Sequence, residues 1–420
     1  MRPAVATRVG TGEMPTGRRT QLSLLLAHTI LVQAVTFVLR PAATYRALEL
    51  DVPAAWLGLL GASFAVVPFV LAVPVGHTVD RWGERRMMML GSGLLTAAAA
   101  GFALLGGSVL GLVLATMLLG TGHLCSVVAQ QALVANATPA HRYDSAFGYY
   151  TFAASLGQAV GPGLIIGFGG DHPLPDTQLI FLGAIVLTLP LLAAAGFLRP
   201  SARHRTASDQ PSGRVRDLLR QPGLTRALVV SCIVLAAVDI TLVYLPALGA
   251  DRNITSGAVG LLLALRAAAS MISRLFLGRL ATTLGRRWLL IAAVALAAAS
   301  LALLPLPMPL WLMALVITVA GLGLGVGQPL TMSFLAESAP AGLRGRAMSL
   351  RLTGNRLGQL LIPTTAGVVA AGAGAAGVLA FTAAGLAAAA LAARGLHLSP
   401  PPANRPDGEA VSTTNMRGSP

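Results

Sequence analysis

The chain has 420 residues, 55% of them hydrophobic and only 11% charged, with a mean hydropathy of +0.73. Soluble domains carry about 25% charged residues, so this composition cannot supply a water-facing surface and lipid is the expected solvent. The net charge is +15 and every one of the 30 basic residues is Arg; they are scattered through short loops and form no basic face, which excludes a nucleic-acid-binding surface.

The polar stretch 1–20 carries Arg18-Arg19 just ahead of the first apolar run. It shows no clear small-residue cleavage pattern, so that run reads as a retained helix. Counting that run there are twelve apolar segments, each near the ~20 residues that cross a hydrocarbon core of about 30 Å. They fall at 22–40, 55–78, 87–106, 108–135, 144–168, 178–198, 224–246, 257–280, 288–305, 309–336, 346–371 and 373–393. Lipid supplies no partners for backbone groups, and the ten-residue alternation of a barrel is missing, so the expected fold class is an all-α integral membrane protein. An even number of crossings puts both ends on one face. Most of the Arg residues belong to that face, with Arg40, Arg46 and Arg252 on the other, which predicts cytoplasmic termini.

In chain order, the first polar residues at membrane depth are His28 and Gln33, with Arg40 expected to snorkel at the outer end of the first helix. Between the second and third runs lies a charged hairpin, Gly76-His-Thr-Val-Asp80-Arg81-Trp-Gly83-Glu84-Arg85-Arg86-Met87. The fourth run carries His123 and Gln130, and the fifth carries Tyr149, Tyr150 and Gln158. The fifth also holds Gly157-Gln-Ala-Val-Gly161-Pro162-Gly163, with Gly167 beyond. Gly157 and Gly161 share one helix face, as do Gly163 and Gly167, and both pairs are expected to allow close crossing, while Pro162 removes a backbone bond.

In the second half Asp239 is the only acid well inside a span, placed about seven residues from the outer end of its helix. Arg266 sits at a matching depth on the next helix, so the two are expected to pair, either as a switchable carboxylate or as a static ion pair. Arg274 and Arg351 lie nearer the cytoplasmic interface. Gln328, and Asn355 beside Arg356, complete the set of candidate substrate or coupling residues. Cys125 and Cys232 both lie in apolar runs and make neither a disulfide framework nor a metal site. No phosphate-binding loop and no nucleophile–base arrangement is visible, so neither an ATP-driven pump nor an enzyme is expected, and no cofactor.

The strongest organising feature is an internal repeat. At an offset of 201, Gly120 matches Gly321, Gly122 matches Gly323, Pro139-Ala140 matches Pro340-Ala341, Ala146 matches Ala347, Leu156-Gly157-Gln158 matches Leu357-Gly358-Gln359, and Pro162 matches Pro363. The charged hairpin returns at 202 as Gly278-Arg-Leu-Ala-Thr282-Thr283-Leu-Gly285-Arg286-Arg-Trp288. Two six-helix halves in parallel orientation follow: a bundle over 21–198, a cytoplasmic linker over 199–223, and a second bundle over 224–395. Polar tails at 1–20 and 396–420 flank them, the latter expected to be disordered.

Over residues 20–395 the chain resembles the major facilitator superfamily. The first hairpin resembles that family's signature between helices 2 and 3, filled by Gly76, Asp80, Arg81, Gly83, Arg85 and Arg86. Glu84 departs from it, and the second copy keeps Gly278, Gly285 and Arg286 but has Thr282 and Thr283 where Asp and Arg would stand. The resemblance implies a one-sided conformational latch centred on Asp80, with Gly76 letting a neighbouring helix approach. The segment through Gly157, Gly161, Pro162 and Gly163 resembles one found in helix 5 of the family's exporters, although Ile165-Ile166 stands where Gly-Gly is usual. Thr116, four residues before Gly120, replaces the Arg of the family's usual proton relay.

The implied protein is a monomeric twelve-helix secondary transporter of the cell membrane. It is expected to export a small organic or drug-like compound by proton antiport. The alternatives are proton-coupled uptake of an organic anion, motivated by Arg266 and Arg356, and a transporter-shaped sensor.

Overall fold

A computed structural model describes residues 16–137, 143–169, 172–199, 223–338 and 344–395. The tails, the linker residues 200–222, Asp171 and the repeated Pro-Ala pairs lie outside the described residues, as do the side chains of Asp80, Ala146 and Ala347. Among the described residues there are twelve helices and no strand. They are α1 (Thr16–Glu49), α2 (Ala54–Trp82), α3 (Glu84–Leu105), α4 (Val109–Ala137), α5 (Tyr143–Gly169), α6 (Thr177–Phe197), α7 (Leu224–Asp251), α8 (Ser256–Leu275), α9 (Leu277–Leu284), α10 (Arg286–Leu303), α11 (Leu310–Ser338) and α12 (Arg344–Ala393). The short α9 continues α8 beyond Phe276. Within α12 the backbone breaks at Gly374, whose φ of 60° gives two limbs.

Ten helical stretches are long and apolar enough to cross a membrane, and one of them, Leu350–Ala393, has 44 residues. At about 1.5 Å per residue it is long enough for two crossings. With α5, which packs between α1 and α8, the expected twelve spans are accounted for.

One packing scheme appears twice. In the first half α1 packs on α5 and α6, α2 on α4, and α3 on α4 and α6. In the second, α7 packs on α12, α8 on α11, and α10 on α11 and α12. The glycines of the repeat make equivalent contacts. A Cβ on Gly122 would meet the Gly91 carbonyl and the Leu95 amide, and one on Gly323 would meet the Ala293 carbonyl and the Ala297 amide, the contacted residues lying 202 positions on. Close backbone approach through small residues is how helices associate in lipid, where burial of apolar surface gives no drive. An arginine also closes the same end in each half, though the two do not correspond under the repeat: Arg46 Nε donates to the Gly106 carbonyl at 3.0 Å, and Arg252 donates to the Leu304 and Leu306 carbonyls at 3.0 and 3.2 Å. Each holds the C-terminal end of the third helix of its half, where orphan carbonyls gather.

The halves meet along α2 with α12, α5 with α8, and α1 with α7. On the face away from the termini this seam is tight. A Cβ on Gly58 would meet the Pro363 carbonyl and the Gly367 amide, one on Gly260 would meet the Pro162 carbonyl, and the Ser256 amide donates to the His172 carbonyl at 2.8 Å.

Two helix ends differ from the sequence expectation, and the difference moves the site. α1 continues through Pro41 to Glu49, and α7 continues through Pro246 to Asp251. Proline is tolerated inside membrane helices because neighbours satisfy the freed carbonyl. Arg40 is therefore no snorkelling end residue but is 5% exposed, and Asp239 stands at the middle of α7 rather than near one end.

Candidate functional site: a charged cavity between the halves

Asp239 and Arg40 face each other across the seam. Arg40 Nη1 donates to Asp239 Oδ1, and Gln359 Nε2 from α12 donates to Oδ2 at 2.7 Å. Both carboxylate oxygens are thus satisfied away from water, as a buried charge requires. The Arg40 guanidinium also lies 4.5 Å from the centre of the Phe64 ring, a cation–π contact. The expected Asp239–Arg266 pair is not formed. The longer α1 and α7 bring Arg40 level with Asp239, and it takes the place that sequence depth assigned to Arg266.

Around this pair lies a cavity of about 120 Å³. Gln33, Arg40, Phe64 and His123 line it from the first half, with Gln158 from α5. Asp239, Arg266, Ser270, Arg274, Gln328 and Gln359 line it from the second, and Phe37, Leu235, Val238 and Leu324 add apolar wall. Of the candidate substrate or coupling residues, Gln33, Arg40, His123, Gln158, Asp239, Arg266 and Gln328 therefore come together. Arg356 and Asn355 stand behind the wall: Arg356 Nη1 donates to Gln359 Oε1 at 2.9 Å, and Ser231 Oγ donates to Asn355 Oδ1 at 3.0 Å.

Four polar lining residues, Thr36, Ser270, Arg274 and Gln359, were not among the candidates. Arg274 reaches across the seam, its Nη1 at 2.5 Å from Ser155 Oγ and its Nε donating to the Gly325 carbonyl at 3.3 Å. Gln359 was named only as the repeat partner of Gln158, and the repeat itself was the signal for it: both glutamines line the one cavity.

Hydrogen bonding on the first-half side is incomplete. Gln33 Nε2 and His123 Nε2 are 3.4 Å apart, while Gln33 Oε1 and His123 Nδ1 are buried without a partner among the described residues. His28 is different. Its Nδ1 accepts from Gln130 Nε2 at 2.8 Å, its Nε2 lies 3.0 Å from Ser92 Oγ, and Tyr150 Oη donates to Gln130 Oε1 at 3.3 Å. That network joins α1, α3, α4 and α5 inside one half and is not part of the cavity; Tyr149 is 59% exposed.

The helix 5 glycines divide by face. A Cβ on Gly161 would sit 2.7 Å from the Ala34 carbonyl oxygen and 3.0 Å from Phe37 Cβ, and one on Gly157 would sit 2.7 Å from Gln33 Cβ. These two seat α5 on α1 beside the cavity. Gly163 and Gly167 meet nothing within 4 Å, so the close crossing expected of that second pair is not made; their face points away from α1.

In the hairpins, Gly83 and Gly285 have φ of 89° and 76°, a backbone that glycine adopts without strain. Gly76 and Gly278 meet nothing within 4 Å, so neither serves the close helix approach expected of Gly76. Arg85 Nη2 donates to the Gly196 carbonyl at 2.6 Å, and its repeat partner Arg287 donates through Nη2 to the Arg394 carbonyl. Each arginine holds the last helix end of its own half. Glu84, the departure from the signature, is buried and accepts from Asn136 Nδ2 at 2.6 Å. Arg81 and Arg86 are exposed.

Comparison with known proteins agrees with this architecture. The model of the Major Facilitator Superfamily matches residues 25–252 and 227–418. Multidrug resistance protein 2 of Bacillus subtilis is 30% identical over 168 residues, 39% of this chain and 41% of the relative; the match thus spans about two fifths of that curated protein. Among solved structures, a D-xylose–proton symporter superimposes with a TM-score of 0.74 at 16% identity, over 90% of this chain and 100% of the other. The human organic anion transporter MFSD10 gives 0.65 at 19% identity, over 90% and 100%. At these identities the structural likenesses speak for the fold.

Proposed function

This chain belongs to the major facilitator superfamily, and on that premise we propose that it is a proton-coupled secondary transporter of a small organic compound, with Asp239 as the coupling carboxylate. It is a multi-pass membrane transporter and not an enzyme. The observation that carries the proposal is the Arg40–Asp239 pair, placed in the cavity between the halves and joining the first helix of each. A proton on Asp239 removes the charge that holds Arg40, so loading and unloading the carboxyl alters the tie between two bodies that must rock in alternating access.

The placement is a cell membrane with both termini in the cytoplasm, as the distribution of Arg supports. The chain acts as a monomer. The seam closed opposite the termini then corresponds to a state shut toward the outside. The Asp80 turn acts as the latch of the cytoplasmic face, in the family's manner.

Direction separates two readings. Export in exchange for protons is supported by the helix 5 segment, whose Gly157 and Gly161 seat α5 on α1, and by the partial likeness to a multidrug resistance protein. Uptake of an organic anion together with protons is supported by Arg266 in the cavity wall. The test is a compound screen in vesicles reconstituted with the full chain, run with the pH gradient in either orientation. Gradient-dependent flux of an unaltered compound is expected. Binding without flux would mean a sensor, and flux indifferent to the pH gradient would remove the proton from the account.

A further inference from the structure

One guanidinium in the cavity wall has N–H groups that meet no acceptor among the described residues. Arg266, in the middle of α8, is 1% exposed, and its Nε and Nη2 reach no acceptor among the described residues. The other arginines nearby each have one: Arg40 has Asp239, Arg274 has Ser155, Arg351 has Gln328, and Arg356 has Gln359. Arg266 is also firmly placed. Its carbonyl accepts from Ser270 Oγ at 3.1 Å, and Gly321 packs on its backbone. Burying charged N–H groups without acceptors is strongly unfavourable, and a buried guanidinium with two open donors on a fixed backbone is half of an ion pair. Nε and Nη2 form one edge of the guanidinium, two parallel donors matching the two oxygens of a carboxylate.

The lining holds three arginines, Arg40, Arg266 and Arg274, against the single acid Asp239. Across the cavity, Gln33 Oε1 and His123 Nδ1 also lack partners among the described residues. At about 30 Å³ per water, the cavity takes a small ligand.

We propose that Arg266 docks the carboxylate of a small organic anion, and that this anion and a proton on Asp239 are carried together. The second part rests on the reading of Asp239 as the coupling group. The charged or titratable groups around Asp239 are Arg40 from α1, His123 from α4, Arg266 and Arg274 from α8, and Arg356 from α12. Asp239 is the negative charge in this set, so it repels the incoming anion and competes for the same cations. Protonation removes that opposition. The anion therefore binds the protonated form more tightly, and by reciprocity the proton is held more tightly with the anion in place. Positive linkage of this sign moves both in one direction and selects uptake over exchange.

The experiment is calorimetric titration of the full chain in lipid nanodiscs with benzoate, its neutral isostere benzamide, and benzenesulfonate, whose charge does not change with pH in the range used. Benzoate and benzenesulfonate are expected to bind and benzamide not. Arg266→Gln should weaken benzoate by about tenfold or more, with Arg266→Lys intermediate; the Lys variant keeps the test sound if the Gln variant fails to fold. Benzenesulfonate should bind more tightly as pH falls, and Asp239→Asn should flatten that dependence. Equal binding of benzoate and benzamide, no binding by either anion, or anion affinity unchanged in both Arg266 variants would overturn the anion site. Arg266-dependent binding with no pH dependence would instead sink the coupling role of Asp239 and leave the anion site standing.

Discussion

Arg40 and Asp239 lie 199 residues apart in sequence and form a buried ion pair between α1 and α7, the first helices of two repeated halves. Their positions are within two residues of the 201-residue repeat offset. Residues equivalent under a two-fold repeat can touch only near its axis, so the pair marks the axis, and the cavity is built around it.

The pair predicts a large coupling energy. Removing one member of a buried ion pair costs about 3–5 kcal/mol, because the other charge is stranded. Arg40→Gln should therefore be strongly destabilising in thermal unfolding of the purified protein. Adding Asp239→Asn to it should recover part of the loss, since no charge is then left stranded. Strict additivity of the two changes would show that the pair does not form.

The glycines of α5 predict a contrast within seven residues. Gly161→Leu drives a side chain into Ala34 and Phe37 on α1 and should cost about 1–3 kcal/mol as overpacking, with loss of transport. Gly163→Ala faces open space and should leave both stability and flux near the parent level. Thermal unfolding and vesicle flux on the two variants check this; equal damage would mean that α5 packs on another face.

The seam opposite the termini predicts a shift in conformational balance. A side chain at Gly58 meets the Gly367 amide and the Tyr244 hydroxyl of the other half. Gly58→Leu should hold the halves apart on that face. Spin labels at Trp56 and Leu306, one in each half and both exposed, should then report a longer distance in a background lacking Cys125 and Cys232. An unchanged distance distribution would place the closure elsewhere.

The two hairpins predict unequal effects. Asp80→Ala should slow transport more than Thr282→Ala, because only the first copy carries the Asp-Arg pair. Arg85→Gln and Arg287→Gln should each have a small effect, about 0.3–1 kcal/mol for a cation at a helix end, since each arginine serves its own half. Matching flux for Asp80→Ala and Thr282→Ala would defeat the one-sided latch.

Much of the fold was legible because lipid imposes length and apolarity on every span, and because a repeat leaves paired residues such as Gly122 and Gly323. Most of the site was legible too, since ionisable and amide groups are rare at membrane depth. The partner of Asp239 was not. The apolar runs 22–40 and 224–246 stop short of the helices that contain them, which put Arg40 at a helix end and Arg266 level with Asp239. Arg274, expected nearer the cytoplasmic interface, lines the cavity instead: its contact with Ser155 joins the halves, and no local pattern encodes which helices meet across a seam. Gln359 was within reach, because its repeat partner Gln158 had already been singled out.

The most direct test of the central claim is pH-gradient-driven flux of a compound taken from the two-way screen, measured in vesicles with the parent chain and with Asp239→Asn. The Asp239→Asn variant should still bind the compound and lose the response to the gradient. Gradient-driven flux at the parent level in Asp239→Asn would contradict it.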